Sequence, residues 1–279
     1  MHSRTKGLVL ASLVVVAGAT GCKLDGLVFS ADKVDAYNYT STIIPDSLRR
    51  EVQFPSGGET LHGMWIRQPG SGPRLTLVYS HGKGTNLADD TPREHAEALW
   101  QAGFEILVYD YRGFGRSTGT SKDETTLDAD ARAALAYALA QPGVTLDKVV
   151  SFGHSLGSAP AIALAAATPG LRALIVESGF SNGQAMAESA DPLGIPVSWL
   201  LREPMLNTQR IATVHAAVLI IHGGDDVLIP TEQGVALYAA ANDPKELRLV
   251  GGATHTNIPA VMGASYGALL RSFIAYAAP

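Results

Sequence analysis

The chain has 279 residues, 46% of them hydrophobic and 17% charged, which is enough apolar material for one large core. A formal net charge of -5 argues against a nucleic-acid partner, because phosphate binding requires clustered lysine and arginine side chains. The single cysteine leaves no partner for an intrachain disulfide.

The N-terminal residues have the order of a secretory signal peptide. His2, Arg4 and Lys6 precede the apolar stretch GLVLASLVVVAGA, and small residues follow it. A bilayer span needs roughly 20 apolar residues, so this stretch is too short to be read as a membrane helix. We therefore expect residues 1–21 to be a signal peptide.

Cys22 follows Ala19, Thr20 and Gly21, an arrangement that resembles the bacterial lipobox, although Ala19 replaces the usual leucine. In that motif the cysteine becomes the lipidated first residue of the mature protein. The alternative is an ordinary signal peptide with an incidental free cysteine. The resemblance implies a lipid-anchored protein of the bacterial cell envelope, with residues 22–47 as the tether. Lys23 in place of aspartate implies the outer membrane if the host is Gram-negative.

From residue 48 the pattern becomes regular and predicts a single domain, 48–279. REVQF and TLHGMWIRQ alternate as two half-buried strands joined by a turn. Continuous apolar runs, typical of strands buried on both faces of a parallel sheet, follow at 75–80, 104–110, 148–153, 172–178, 217–223 and 246–251. Helical patterns lie between them, including 92–103 and 128–143. The fold class is therefore α/β, with a mostly parallel sheet and helices on both faces.

Residues 180–214 interrupt this alternation and are longer than a crossover requires. Their prolines and large apolar side chains predict a small helical cap. Its residues Met186, Leu193, Trp199 and Leu200 have two possible roles, lining an acyl pocket or packing on the sheet.

Ser155 lies between Gly153 and Gly157, where an apolar run meets an alanine-rich run in VVSFGHSLGSAPAIALAAA. The G-x-S-x-G pattern between a strand and a helix is the context of an exposed nucleophile on a sharp turn. A serine hydroxyl needs a base, and His255 after the last strand is the histidine best placed to act. Asp225 and Asp226, after the run at 217–223, are candidates for the acid that orients the base.

From about residue 49 onward the chain resembles the α/β-hydrolases, through SHGKGTN, DYRGFGRSTG, GHSLG, HGGDDVLIP and GGATH in that order. The nearest subgroup contains protein-depalmitoylating hydrolases and bacterial homologues. There the acid lies four residues after the histidine of HG, which implies Asp226 and leaves Asp225 as a turn residue. Glu177 is a third candidate, since some members carry the acid after the preceding strand. DYRGFGRSTG is expected to shape a loop flanking the crevice.

The resemblance also implies an oxyanion hole formed by the backbone N–H groups of Leu156 and Lys83. Lys83 replaces an asparagine common in the subgroup, which leaves the N–H available. The sequence contains no phosphate-binding loop and no metal-binding motif, so neither metal nor other cofactor is expected.

These features predict a serine hydrolase, with the triad Ser155, Asp226 and His255, that cleaves small-molecule carboxylic esters or thioesters through an acyl-enzyme. One alternative is an amidase or aminopeptidase, for which Glu188 and Asp191 could bind a substrate amino group. Another is a non-catalytic binding protein of the envelope.

Overall fold

The computed structural model describes residues 32–70, 74–185 and 204–276, which contain an eight-stranded sheet with helices packed on it. The first two strands, β1 (Arg49–Ser56) and β2 (Glu59–Ile66), form the predicted antiparallel hairpin. Gly57 and Gly58 make the turn with positive φ angles of 55° and 88°, a conformation that glycine adopts readily because it has no Cβ.

Each continuous apolar run forms a strand of the same sheet. In chain order these are β3 (Thr76–Ser80), β4 (Glu105–Tyr109), β5 (Val149–His154), β6 (Ala173–Glu177), β7 (Ala217–Gly223) and β8 (Lys245–Val250). The strand order is β1-β2-β4-β3-β5-β6-β7-β8, and β3 to β8 are all parallel to one another. The carboxyl ends of these strands therefore meet at one edge of the sheet, as required for a shared crevice.

Helices connect the strands. They are α1 (Asp90–Gln101), α2 (Glu124–Leu139), α3 (Ser158–Ala167), α4 (Asn207–Ile211), α5 (Thr231–Ala240), α6 (Ile258–Met262) and α7 (Ala264–Tyr276), with 3-10 turns at Asp46–Leu48, Leu146–Lys148 and Ser155–Gly157. The helix expected at 128–143 begins earlier, at Glu124. The reason is local, because the Asp123 carboxylate caps the helix by accepting a 2.9 Å hydrogen bond from the N–H of Thr126.

The apolar core lies on both faces of the sheet. Val78 belongs to one apolar cluster, whereas its neighbours Leu77 and Tyr79 belong to the other. Successive side chains of a strand point to opposite faces, so the uninterrupted apolar runs reflect burial on both sides. Strand β8 differs from this expectation: it forms an edge of the sheet, and Leu249 within it is exposed.

The segment before β1 also differs from expectation. It is predicted as a tether, yet Tyr39 and Ile44 are buried in one of the two apolar clusters. Lys33 pairs with Gly115, and the hydroxyl of Tyr37 donates to the buried carboxylate of Asp110. The part of the predicted tether from residue 32 is therefore packed against the domain. Irregular segments have no periodicity, and for this reason the sequence pattern could not show this packing.

Several predicted features lie outside the described residues: the signal peptide, Cys22, and the cap residues Met186, Leu193, Trp199 and Leu200. The described parts of the predicted cap, residues 180–185 and 204–214, pack into the core of the domain through Phe180, Met205, Ile211 and Val214. Within the described part of the chain, no helix is long and apolar enough to span a membrane.

Candidate active site

Ser155 lies on the sharp turn between β5 and α3. Its φ angle of 54° is in the left-handed region, which non-glycine residues adopt at a cost of about 1–3 kcal/mol. Both flanking glycines are required by close backbone contacts. A Cβ at Gly153 would stand 2.4 Å from the carbonyl oxygen of Gly157, and a Cβ at Gly157 would stand 1.9 Å from that of Ser80. The G-x-S-x-G pattern thus has a steric explanation in the turn.

The structure brings Ser155, His255 and Asp226 together in one chain of hydrogen bonds. Nε2 of His255 lies 2.8 Å from Oγ of Ser155, and Nδ1 of His255 lies 2.8 Å from Oδ2 of Asp226. Ser155 and His255 are partly exposed, whereas Asp226 is buried. In such an arrangement the imidazole can accept the hydroxyl proton while the carboxylate stabilises the imidazolium that forms.

Asp226 is bound from several sides. Its Oδ1 accepts hydrogen bonds from the N–H groups of Leu228 and Ile229, at 3.0 and 2.9 Å. Burial alone would raise the pKa of this carboxyl group, but hydrogen bonding to His222, His255 and the Ile229 N–H outweighs burial and lowers the pKa below its usual range. The group is therefore an anion at neutral pH, the form that can stabilise a protonated base.

The other two candidate acids lie elsewhere. Asp225 is exposed, and its backbone N–H donates to the carbonyl of Ala253 at 2.9 Å. Glu177 is fully buried, with one carboxylate oxygen 2.7 Å from Nε2 of His95 and the other accepting a 2.8 Å hydrogen bond from Tyr266. Neither carboxylate contacts His255 in the described part of the chain.

The loop that carries Lys83 lies directly beside Ser155. A Cβ added to Gly82 would be 3.4 Å from the Cβ of Ser155. The backbone N–H of Lys83 has no hydrogen-bond partner among residues 32–70, 74–185 and 204–276. Leu156 is in the first turn of a helical segment, where N–H groups lack partners within the helix. Both N–H groups are thus available to bind an oxygen that develops negative charge.

Residues of DYRGFGRSTG contact the loop that carries Lys83 and hold it in place. The hydroxyl of Tyr111 donates to the carbonyl of His81 at 2.8 Å, and Asp110 Oδ1 lies 3.2 Å from Nε2 of His81. Asp110 also accepts a 3.1 Å hydrogen bond from the N–H of Leu87. All of these groups are buried. The motif therefore fixes the position of the loop, as expected from the sequence.

Sequence reasoning missed two residues that contact His255. Nε2 of His154 and Oγ of Ser178 each lie 3.0 Å from the carbonyl oxygen of His255. His154 adjoins Ser155 in the sequence, but the motif gives the residue before the serine no role. Ser178 follows β6 directly, and its position at the carboxyl end of a parallel strand was the signal that could have identified it.

One buried group of side chains has the composition of a metal site. Potential ligand atoms of His95, His154 and Glu177 lie within 4.8 Å of one another. Hydrogen bonds occupy both ring nitrogens of His95, one oxygen of Glu177 in this group and one ring nitrogen of His154. Nδ1 of His95 contacts the carbonyl of Thr91 at 2.9 Å, Nε2 of His95 contacts Glu177, and Nε2 of His154 contacts the carbonyl of His255. We assign no metal to this group.

A mostly parallel eight-stranded sheet, with a serine on a strained turn after β5 and an acid and a histidine after later strands, is the architecture of α/β-hydrolases. Residues 71–209 match the family described as serine aminopeptidase, S33. An uncharacterized protein of Mycobacterium tuberculosis is 34% identical over 241 residues, covering 77% of this chain and 83% of that protein.

The alpha/beta hydrolase domain-containing protein aho-3 of Caenorhabditis elegans is 31% identical, covering 72% of this chain and 57% of its own length. Among solved structures, an esterase of Pyrococcus furiosus is similar with a TM-score of 0.70 and 17% identity, covering 89% of this chain and 98% of that chain. The chain belongs to the α/β-hydrolase superfamily of serine hydrolases.

Proposed function

We propose that this protein hydrolyses carboxylic esters or thioesters through an acyl-enzyme, with Ser155 as nucleophile, His255 as general base and Asp226 as the acid that orients the base. One observation carries the proposal: the 2.8 Å contact between Ser155 Oγ and His255 Nε2, continued by the 2.8 Å contact to Asp226. Hydroxyl, imidazole and carboxylate in this order are what nucleophilic acyl transfer requires.

The reaction proceeds in two halves. As Ser155 Oγ attacks the carbonyl carbon, its proton moves to Nε2 of His255 and the carbonyl oxygen becomes an oxyanion bound by the N–H groups of Leu156 and Lys83. The bond to the leaving alcohol or thiol then breaks, and His255 returns the proton to the leaving oxygen or sulfur. Water, deprotonated by His255, attacks the acyl-enzyme, and Ser155 leaves with the proton.

Ester or thioester substrates are favoured because their hydrolysis requires little beyond these groups, whereas an amide needs stronger protonation of its leaving nitrogen. The similarity to a solved esterase is consistent with this choice. The amidase or aminopeptidase alternative is supported by the description of the matching family. Its candidate residues Glu188 and Asp191 lie outside the described residues.

A fluorophosphonate probe with a panel of substrates tests the proposal. The purified protein should be labelled and should hydrolyse p-nitrophenyl esters faster than aminoacyl p-nitroanilides. Ser155→Ala should abolish both labelling and turnover. Ser151→Ala is a matched control, because it removes a serine hydroxyl, with its buried 3.0 Å hydrogen bond to a backbone carbonyl, from β5, the strand that leads to Ser155. Absence of labelling, or labelling that persists in Ser155→Ala, would instead support a non-catalytic binding protein, and faster anilide cleavage would support a peptidase.

We also propose that Met186, Leu193, Trp199 and Leu200 of the cap line an acyl pocket. Apolar side chains near the nucleophile would favour longer acyl chains, since each buried CH₂ contributes about 0.8 kcal/mol. The rate constant kcat/KM should then rise with acyl length from p-nitrophenyl acetate to octanoate. Equal rates across the series would place these residues in the core rather than in a pocket.

We propose, finally, that Cys22 is lipidated and anchors the domain in the bacterial cell envelope. The ten residue-to-residue steps from Cys22 to Asp32 span at most about 36 Å when the chain is fully extended, so a membrane anchor would keep the domain close to the bilayer. Incorporation of labelled fatty acid into the wild type but not into Cys22→Ser, with recovery of the wild type alone in the membrane fraction, is the expected result. Equal fractionation of both would reject the anchor.

A further inference from the structure

The backbone carbonyl of His255 accepts two hydrogen bonds from side chains of neighbouring strand ends. The donors are Nε2 of His154 at the end of β5 and Oγ of Ser178 just after β6, each at 3.0 Å. We propose that His154 and Ser178 are positioning residues that hold the backbone of His255, and hence its imidazole, between Ser155 and Asp226. The inference rests on the proposed function, in which His255 is the base.

Among the described residues, the hydrogen bond to the carbonyl of His255 is the one that the ring of His154 makes. A carbonyl oxygen can only accept, so Nε2 of His154 carries the proton and Nδ1 does not. Nδ1 is buried and has no partner among the described residues. Burial, His95 and His255 lower the pKa of His154 well below its usual value, while the His255 carbonyl and Asp226 oppose this. The ring is therefore neutral, and its single N–H donates to the backbone carbonyl of His255.

Ser178 is held in a strained conformation. Its φ angle of 48° is in the left-handed region and its side chain is fully buried. Glycine would adopt this conformation without strain, whereas a serine in it costs about 1–3 kcal/mol. What serine offers and glycine lacks is the hydroxyl, which donates to His255. Such strain persists where surrounding contacts require it, and it is frequent at active sites.

The base needs this support because of where it lies. His255 is in the irregular connection between β8 and α6, where no regular backbone pairing fixes it. Its ring must reach Ser155 on one side and Asp226 on the other, each at 2.8 Å. A displacement of about 1 Å in such an arrangement can lower a rate about a hundredfold. Fixing the carbonyl restricts the Cα from which the ring extends.

Ser178→Gly is the decisive variant because it removes the hydroxyl and the strain together. The relieved strain is offset by the lost hydrogen bond, about 1 kcal/mol, and by the larger conformational entropy that glycine gives the unfolded chain, about 0.4–1 kcal/mol, so Tm should stay close to that of the wild type. We expect kcat to fall at least tenfold, with little change in KM. Ser151→Ala, the control described above, should lower Tm without lowering kcat. A Ser178→Gly protein with wild-type Tm and kcat would overturn the inference.

His154 is tested by comparing two replacements. His154→Gln can still place an N–H near the carbonyl of His255, whereas His154→Leu cannot. The glutamine variant should retain the higher kcat at comparable Tm, and equal losses in both would count against a positioning role. If both fail to fold, Ser178→Gly still decides the question.

Two further measurements separate positioning from a general structural role. In a His255→Ala background, Ser178→Gly should not reduce the residual rate further, because residues acting through one group are non-additive. The downfield ¹H NMR resonance of the proton between His255 Nδ1 and Asp226 should shift or broaden in Ser178→Gly. This signal needs no substrate, so it tests the positioning even if no acyl substrate is hydrolysed, the outcome that would refute the proposed function alone. An unchanged resonance would overturn the positioning role.

Discussion

Gly157 and Ser80 approach so closely that a Cβ at Gly157 would stand 1.9 Å from the carbonyl oxygen of Ser80. Ser80 ends β3, immediately before the loop that carries Lys83, and Gly157 is the last residue of the turn that carries Ser155. The contact therefore sets the separation between the proposed nucleophile and one of the proposed oxyanion donors. Backbone atoms on both sides leave no flexible side chain that could move away.

Gly157→Ala is expected to impair both folding and activity. The added methyl group must displace either the end of β3 or the turn, and overpacking of this kind costs about 1–3 kcal/mol. The proposed esterase activity should fall by about a hundredfold or more, because the proposed oxyanion donors move relative to Ser155. Gly251→Ala is the matched control, since a Cβ there meets nothing within 4 Å. Wild-type kcat in Gly157→Ala would contradict the steric argument.

Replacements of Ser155 should separate activity from stability. Ser155→Ala and Ser155→Gly both remove the hydroxyl and should both be inactive. They differ in backbone strain, because glycine adopts a φ of 54° freely and alanine does not. We expect urea denaturation to show Ser155→Gly more stable than Ser155→Ala by about 1 kcal/mol. Equal stabilities would mean that the turn is not strained.

Asp226→Asn should leave the geometry in place but remove the charge that stabilises protonated His255. A fall in kcat on the order of 10⁴ is expected from the equivalent change in other triads. Asp225 is exposed and does not contact His255. The fall in log kcat caused by Asp225→Asn should therefore be less than a tenth of the fall caused by Asp226→Asn. Comparable losses in the two variants would reassign the acid.

The same carboxylate should contribute to the pH dependence of stability. Its folded-state pKa is depressed, so the folded protein binds the proton more weakly than the unfolded chain, whose aspartates titrate near pH 3.9. This contribution is fully present above about pH 5 and is lost as the pH falls toward the folded-state pKa. The stability difference between wild type and Asp226→Asn, followed by urea denaturation, should shrink from pH 6 to pH 3. A difference that grew over this interval would be inconsistent with a depressed pKa.

The contribution of the His95–Glu177 pair to stability should depend on pH in the opposite direction to that of Asp226. Burial lowers the pKa of His95, but the Glu177 carboxylate together with the Thr91 carbonyl outweighs burial and raises this pKa, so protonated His95 stabilises the fold below the ordinary histidine pKa near 6.5 and less at higher pH. Glu177→Gln should therefore reduce stability most below pH 6.5, by about 3–5 kcal/mol as for other broken buried pairs. The kcat of the folded Glu177→Gln protein should be higher than the kcat of Asp226→Asn. A large fall in the kcat of the folded Glu177→Gln protein, with little loss of stability, would assign Glu177 a part in catalysis.

Much of the fold could be predicted from the sequence because strands that are buried on both faces appear as continuous apolar runs. The runs at 75–80, 104–110 and 217–223 are apolar at every central position, and each became a strand within one or two residues. Edge strands and irregular segments do not show such continuous apolar runs. The partial exposure of β8 and the packing of Tyr39 and Ile44 depend on neighbours distant in sequence, so no local pattern indicates them.

The sequence by itself determined the sheet, the turn around Ser155 and the shortlist of polar residues at its carboxyl edge, because strand periodicity, glycine sterics and the order of the motifs are local properties. Only the tertiary structure decided which acid meets His255, how close the Lys83 loop lies to Ser155, and that His154 and Ser178 contact the carbonyl of His255. These are distances between groups up to 101 residues apart in the chain, and packing alone sets such distances.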